Sequence, residues 1–149
     1  TMASGMEVSG QVVAVTGGGS GIGRALCVLA AKEGAKAVVA IDYDEKAAKE
    51  TAEQVTDCPA LALRADCGKE ADMKIVIEQI ERDVGPIGLF VANAGIGDPS
   101  GIRATDERWQ AIMNVNVFQH VYWARHLIPR MIQRGGGYVV VTSSAAGLL

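Results

Sequence analysis

Residues 11–23 read Gln-Val-Val-Ala-Val-Thr-Gly-Gly-Gly-Ser-Gly-Ile-Gly, and the fold turns on this stretch. Gln11 to Thr16 is an apolar run of the kind a strand shows when it is buried on both faces. Gly17-Gly18-Gly19-Ser20-Gly21 breaks it. Ile22, Ala25, Leu26, Leu29 and Ala30 then recur at helical spacing as far as Glu33, and Gly34 is placed as a C-cap. A glycine-rich turn between strand and helix lets the backbone come close to a diphosphate. The helix start adds free N–H groups and a positive dipole end. Gly23 would let that helix lie tightly on the sheet. Gly17, Gly21 and Gly23 are thus expected to hold a pyrophosphate, with Ser20 and Ile22 completing the loop. A nucleoside triphosphate loop would need Gly-Lys-Ser/Thr at the helix start. Gly23 is followed instead by Arg24 and Ala25, which excludes it.

Outward from this unit, the chain alternates short β-rich runs with longer helical patterns. Lys36 to Asp42 is a second strand, and Asp44 is a plausible N-cap for a polar helix running to about Thr56. Ala60 to Asp66 is a third strand. Lys69 to Asp83 is a helix with Met73, Val76, Ile77 and Ile80 on one face. Ile87 to Ala92 is a fourth strand, followed by a loop from Asn93 to Arg103. One long helical stretch covers about Asp106 to Gln133, and Tyr138 to Thr142 is a fifth strand. This β-α-β-α-β-α-β-α-β order, without repeat or linker, implies a parallel sheet covered by helices on both faces.

Asp42 closes the second strand, 19 residues beyond Gly23. A carboxylate there can accept hydrogen bonds from adenosine ribose hydroxyls and would repel a 2′-phosphate, so the expected cofactor is NAD rather than NADP. Composition narrows the partners. The net charge is −3, with scattered basic residues that form no nucleic-acid stripe. Cys27, Cys58 and Cys67 form no C-x-x-C pair and read as reduced thiols. No apolar run reaches bilayer-spanning length, and Thr1 to Ser9 has no signal-peptide pattern. Residues 1–9 are read as a tail or cloning remnant outside the domain, which spans 10–149, and the cytoplasm is the expected location. His120 and His126 share no helix face and have no ligand-spaced partner, so no metal site is expected. Gly-x-Ser-x-Gly is absent around Ser143 and Ser144, which argues against a Ser-His-Asp hydrolase. Trp109 and Trp123 read as packing or subunit-interface residues.

The spacing Thr16-Gly17-x-x-x-Gly21-x-Gly23 resembles that of the short-chain dehydrogenase/reductase family, and further segments match it in order. Asn93-Ala94-Gly95 resembles the family's Asn-Ala-Gly motif, which supports the central sheet and borders the nicotinamide ribose. Asn116 resembles the helix Asn whose backbone carbonyl holds a proton-relay water. Ser143-Ser144-Ala145-Ala146-Gly147 resembles the segment with the catalytic Ser, and Ser144 is the better match. Asp66 resembles the acidic residue that contacts the adenine amino group. The resemblance covers about Gly10 to Leu149 and implies a doubly wound Rossmann fold with strand order 3-2-1-4-5, lacking the family's last strands. It also implies NAD-dependent hydride transfer between a secondary alcohol and a ketone, in a parent that is a homodimer or homotetramer.

The chain departs from the family at one end. The family's Tyr-x-x-x-Lys falls about a dozen residues after the Ser, where the Tyr is the general acid/base and the Lys lowers its pKa. This chain ends five residues after Ser144, and Tyr43, Tyr122 and Tyr138 have no Lys four residues on. Of the catalytic set Ser144 and Asn116 remain, so the chain is expected to be part of a longer parent and inactive alone. Two alternatives stand beside this reading. One is a non-catalytic NAD-binding module. The other is an S-adenosylmethionine-dependent methyltransferase, which the Asn-Ala-Gly and Ser-Ser-Ala-Ala-Gly segments argue against.

Overall fold

The computed structural model describes residues 7–144. Residues 1–6 of the expected tail and Ala145-Ala146-Gly147 of the serine segment lie outside the described residues. The elements alternate as β1 (Val12–Thr16), α1 (Gly21–Lys32), β2 (Ala37–Asp42), α2 (Glu45–Gln54), β3 (Ala60–Arg64), α3 (Glu70–Asp83), β4 (Ile87–Ala92), α4 (Asp106–Met113), α5 (Gln119–Gln133) and β5 (Tyr138–Val141). The strands form one sheet in the order β3-β2-β1-β4-β5, and every pairing is parallel. This is the doubly wound order the alternation implies.

Period-two packing explains why β1, β2 and β4 are apolar up to the polar residues, Thr16 and Asp42, that end β1 and β2. Val13, Val15, Val38, Ala40, Leu89 and Val91 face Cys27, Ala30 and Ala31 of α1 and Ala48 of α2. Val12, Ala14, Val39, Ile41 and Phe90 face the other way, onto Met73, Val76, Ile77 and Ile80 of α3 and Trp123, Leu127 and Met131 of α5. Burying an Ile or Leu such as Ile77, Ile80 or Leu127 contributes roughly 1.5–3 kcal/mol each. Phe90 and Trp123 add a tilted ring contact at 5.2 Å. Trp123 is thus a packing residue, while Trp109 is exposed.

Several local expectations are corrected. The face of α1 that meets the sheet is Gly23, Cys27, Ala30 and Ala31, and Ile22 and Leu29 point into solvent at 62% and 52% exposure. Small residues win that face because the helix lies close to the strands. Helix α2 stops at Gln54 rather than near Thr56, because Val55 turns extended and buries its side chain. Lys69 caps α3 rather than opening it. The long helical stretch is not continuous: Asn114–Phe118 is a π-helical turn between α4 and α5. Other signals act as read. Asp44 accepts from the N–H groups of Lys46 and Ala47, and Gly34 ends α1 at a φ of 83°. Strand β5 is largely exposed, with Tyr138, Val140 and Val141 open to solvent.

Candidate functional site

Parallel strands place their C-terminal ends on one edge of the sheet, and the expected site residues lie at or after those ends except Asn116, which comes from the turn between α4 and α5. The order 3-2-1-4-5 makes β1 the neighbour of both β2 and β4, so the chain reverses its winding direction between β1 and β4. Open α/β sheets bind ligands in the crevice at such a switch point. Here the glycine turn after β1 and the Asn93-Ala94-Gly95 turn after β4 flank it. They touch, since a Cβ on Gly17 would lie 2.9 Å from the Ala94 Cα. Gly17 also needs its φ of 65°. A Cβ on Gly23 would overlap the Gly17 carbonyl oxygen and come within 2.7 Å of Asn93 Nδ2. Gly21 faces open space at a φ of 50°. Ser20 is the extended N-cap of α1 and its hydroxyl makes no capping bond. The loop is therefore closed towards the sheet and open on its outer side, which fits a diphosphate held by the backbone at a helix start.

Thr16 holds the two sides together. Its hydroxyl is fully buried and accepts from the N–H groups of Asn93 (3.0 Å) and Ala94 (3.1 Å). The Asn93 amide donates to the Thr16 carbonyl (3.1 Å), and its Oδ1 accepts from the Thr142 hydroxyl (3.0 Å). Asn93 thus links β1, β4 and the segment after β5. Gln119, also fully buried, donates to the Ala94 carbonyl at 2.6 Å, and its own Oε1 has no partner among the described residues. The sequence marks Thr16 only as the first residue of the glycine motif, without this latching role, and does not mark Gln119 at all. A polar residue ending an apolar strand was the available signal for Thr16, and Gln119 offered none.

Asp42 ends β2 beside this loop. Its Oδ2 accepts from the Gly19 N–H (2.9 Å) and its Oδ1 from the Asp44 N–H (3.0 Å). A Cβ on Gly19 would sit 2.8 Å from Asp42 Oδ2, so only glycine allows this approach. Asp66 does not end a strand: β3 stops at Arg64, and Asp66 shapes the turn into α3. It accepts from the Gly68 N–H (3.0 Å), and its own N–H donates to Asp72 (2.9 Å). The Cys67 thiol is pushed up to about 12, chiefly by burial and then by the Asp42, Asp66 and Asp72 carboxylates. That thiol senses an acidic rim along the β2–β3 end of the sheet.

On the far side, Asn116 lies in the π-helical turn, and its side chain grips the loop after β4. Its Oδ1 accepts from the Ile96 N–H (2.9 Å), and its Nδ2 donates to the Ile96 carbonyl (2.8 Å). A π turn shifts the backbone hydrogen-bond register and is frequent at functional sites. Arg108 secures the same loop through Asp98 (3.0 Å) and the Gly97 carbonyl. The Ser100 N–H and Arg108 keep the Asp98 carboxyl below its usual range. Ser144 follows β5 at the same end of the sheet and is exposed. His126 lies elsewhere and pairs with Glu70 (3.2 Å), and the His120 ring accepts from Trp123 (3.3 Å). Among the described residues no group of His, Cys, Asp and Glu could hold a metal ion. No helix of the described residues is long and apolar enough to cross a membrane. A cavity of about 460 Å³ lined by Gln11, Pro86, Gly88, Arg134 and Tyr138 lies at the opposite ends of the strands. Its one charged side chain is committed to Glu81 (2.8 Å) and the Ile87 carbonyl.

A doubly wound sheet with a glycine loop at its switch point defines a dinucleotide-binding class of α/β protein. The chain matches the short chain dehydrogenase family over residues 11–149 and belongs to it. It is 32% identical over 144 residues to 17-beta-hydroxysteroid dehydrogenase 13 from Mus musculus, covering 95% of this chain and 47% of that protein. The chain thus spans about half the length of the curated relatives it matches. A short chain dehydrogenase/reductase from Burkholderia phymatum, solved with NAD, superposes with a TM-score of 0.90 at 29% identity, covering 97% of this chain and 52% of that one. L-sorbose reductase from Gluconobacter frateurii, solved with NADPH and L-sorbose, gives 0.87 at 32% identity, covering 96% and 56%.

Proposed function

We propose that residues 10–149 are the NAD-binding part of an oxidoreductase that interconverts a secondary alcohol and a ketone. When bound, the nicotinamide dinucleotide supplies the hydride chemistry. The protein's own residues bind, orient and polarise. Gly17, Ser20, Gly21, Ile22 and Gly23 cradle the pyrophosphate with backbone N–H groups. Asp66 takes the adenine, and Asn93, Ala94 and Gly95 form the wall beside the nicotinamide ribose. Ser144 donates to the substrate oxygen. Asn116 fixes the loop at Ile96 and leaves a backbone carbonyl in the π turn to hold a proton-relay water. A Tyr and a Lys complete this chemistry in the family; of the catalytic set, residues 10–149 supply Ser144 and Asn116.

Relatives of this fold carry either NAD or NADPH, so the choice rests on Asp42. The observation that carries it is the Asp42 carboxylate, held by two backbone N–H groups at the tip of β2. So oriented, it can accept from both ribose hydroxyls, and its charge opposes a 2′-phosphate. Fluorescence titration of the full chain with NADH and NADPH tests this. NADH is expected to bind at least about tenfold more tightly, and Asp42→Ala to erase the difference. Tighter binding of NADPH by the unaltered protein overturns the assignment.

A further inference from the structure

Arg24 follows the glycine loop at once, and its guanidinium binds back onto that loop and across to α2. Its Nη2 donates to the Gly19 carbonyl at 2.5 Å and reaches Glu50 at 3.4 Å, and its Nε donates to the Thr51 hydroxyl at 3.0 Å. Thr51 is fully buried, and its hydroxyl donates in turn to the Ala47 carbonyl at 3.2 Å. The Gly19 N–H donates to Asp42 Oδ2, Asp42 Oδ1 accepts from Asp44 N–H, and Asp44 caps α2 at Lys46 and Ala47. These contacts close a ring through α1, the glycine loop, the tip of β2 and the first turns of α2. Gly19 is gripped at both its polar groups, by a cation on its carbonyl and by a carboxylate on its N–H.

We propose that Arg24 is a positioning residue for cofactor choice: by holding the Gly19 carbonyl it fixes the φ and ψ of Gly19, and with them the direction of the N–H that aims the Asp42 carboxylate. The inference rests on the reading of Asp42 as the ribose ligand. A guanidinium on a carbonyl is a charge-assisted bond, and the planar fork fixes direction as well as distance. With its carbonyl released, the glycine backbone at Gly19 can turn about φ and ψ, and Asp42 loses one of its two N–H donors. The carboxylate then spreads over several rotamers, only some of which meet both ribose hydroxyls. Arg24 is read as a positioning residue rather than a 2′-phosphate partner because its Nε and Nη2 are committed to Thr51 and Gly19 and Glu50 lies 3.4 Å from its charge.

The test is titration of the full chain with NADH and NADPH, together with thermal melting, for Arg24→Met, Arg24→Lys, Thr51→Val and Asp42→Ala. Arg24→Met is expected to weaken NADH about tenfold while NADPH changes by less than about twofold. Arg24→Lys should recover part of the loss, since it restores the charge without the fork. Thr51→Val removes only the Nε acceptor and its bond to Ala47, and is expected to shift the NADH/NADPH ratio the same way by about threefold. It serves if Arg24→Met does not fold. Equal weakening of both nucleotides with a lowered Tm makes the ring merely structural and overturns the inference. A selective loss of NADPH binding overturns it too, since Arg24 would then be a phosphate ligand. If Asp42→Ala erases the preference and the Arg24 and Thr51 variants keep it, the inference fails alone. If Asp42→Ala keeps it, the reading of Asp42 fails and the inference falls with it.

Discussion

Thr16→Val replaces a hydroxyl by a methyl of nearly the same shape at a fully buried position. Packing is thus kept and the loss is polar. Two backbone N–H groups, those of Asn93 and Ala94, lose their acceptor at 3.0 and 3.1 Å. The hydroxyl's own bond to the Val91 carbonyl is long, at 3.4 Å, and adds little. Leaving a buried donor unsatisfied costs about 1–3 kcal/mol. Asn93 and Ala94 are half-buried, so water recovers part of this and the low end applies, about 1 kcal/mol each. The expected destabilisation is about 2 kcal/mol in urea unfolding, or about 4–8 °C in Tm for a domain of 150–250 residues. Thr16→Ser keeps the acceptor and should recover more than half of that loss. Dinucleotide affinity should fall as well, because the freed N–H groups let the two loops part. If Thr16→Val is within about 0.5 kcal/mol of the parent, or Thr16→Ser is no more stable than Thr16→Val, the latch carries no energy and the reasoning is refuted.

Asn116→Ala removes both side-chain bonds to Ile96. Turnover of the whole enzyme is expected to drop about a hundredfold through loop misplacement, with NADH affinity nearly unchanged; full kcat in the variant counts against the clamp. The thiols offer a chemical check. Cys27 and Cys67 are pushed up to about 12, chiefly by burial, whereas Cys58 is raised less and is partly open. At pH 8 iodoacetamide should label Cys58 first and reach the other two only after unfolding, and labelling Cys67 as fast as Cys58 contradicts its burial. The sign of the linkage follows. A thiol whose folded value lies above its ordinary 9.0 adds stability that is complete below pH 9. That stability drains away as pH climbs towards 12, so the urea midpoint should fall over this window and fall less steeply in Cys27→Ala.

Strand β4 appears at the bounds the apolar pattern indicates, because both of its faces are covered and no polar residue interrupts it. The Asp44 cap and the Gly34 stop are equally legible, since each acts through its own backbone neighbours. Helix α1 shows what periodicity leaves out. It finds the helix from Ile22, Ala25, Leu26, Leu29 and Ala30, but of these only Ala30 is buried, and close approach to the sheet selects Gly23, Cys27, Ala30 and Ala31. The π turn at Asn114–Phe118 gives no compositional signal. Its side-chain anchor lies 20 residues away at Ile96. The candidate site is legible in the same divided way. Gly17, Gly21, Gly23 and Asp42 stand out from the chemistry of a strand-to-helix turn and a strand end. Asp66, Asn93, Asn116 and Ser144 emerge only through resemblance to a family. The ring through Arg24 and Thr51 needs the direction of a guanidinium, which no spacing rule encodes.

The pairing of β1 with β4 bears on how the molecule assembles. Strands β1, β2 and β3 and their helices are contiguous in the chain and can pair as they are made. The other flank of β1 stays an open apolar edge until Ile87–Val91 arrives to pair with Val12–Val15. The Thr16 latch spans 77 residues, and closing so long a loop carries an entropic cost before any contact offsets it. The crevice between the two loops therefore forms late, after both halves exist. During that interval the unpaired side of β1 is the stretch most open to wrong partners on a ribosome or in a refolding mixture. Dinucleotide added during refolding should act on this closing step, holding together two halves that the chain itself joins last.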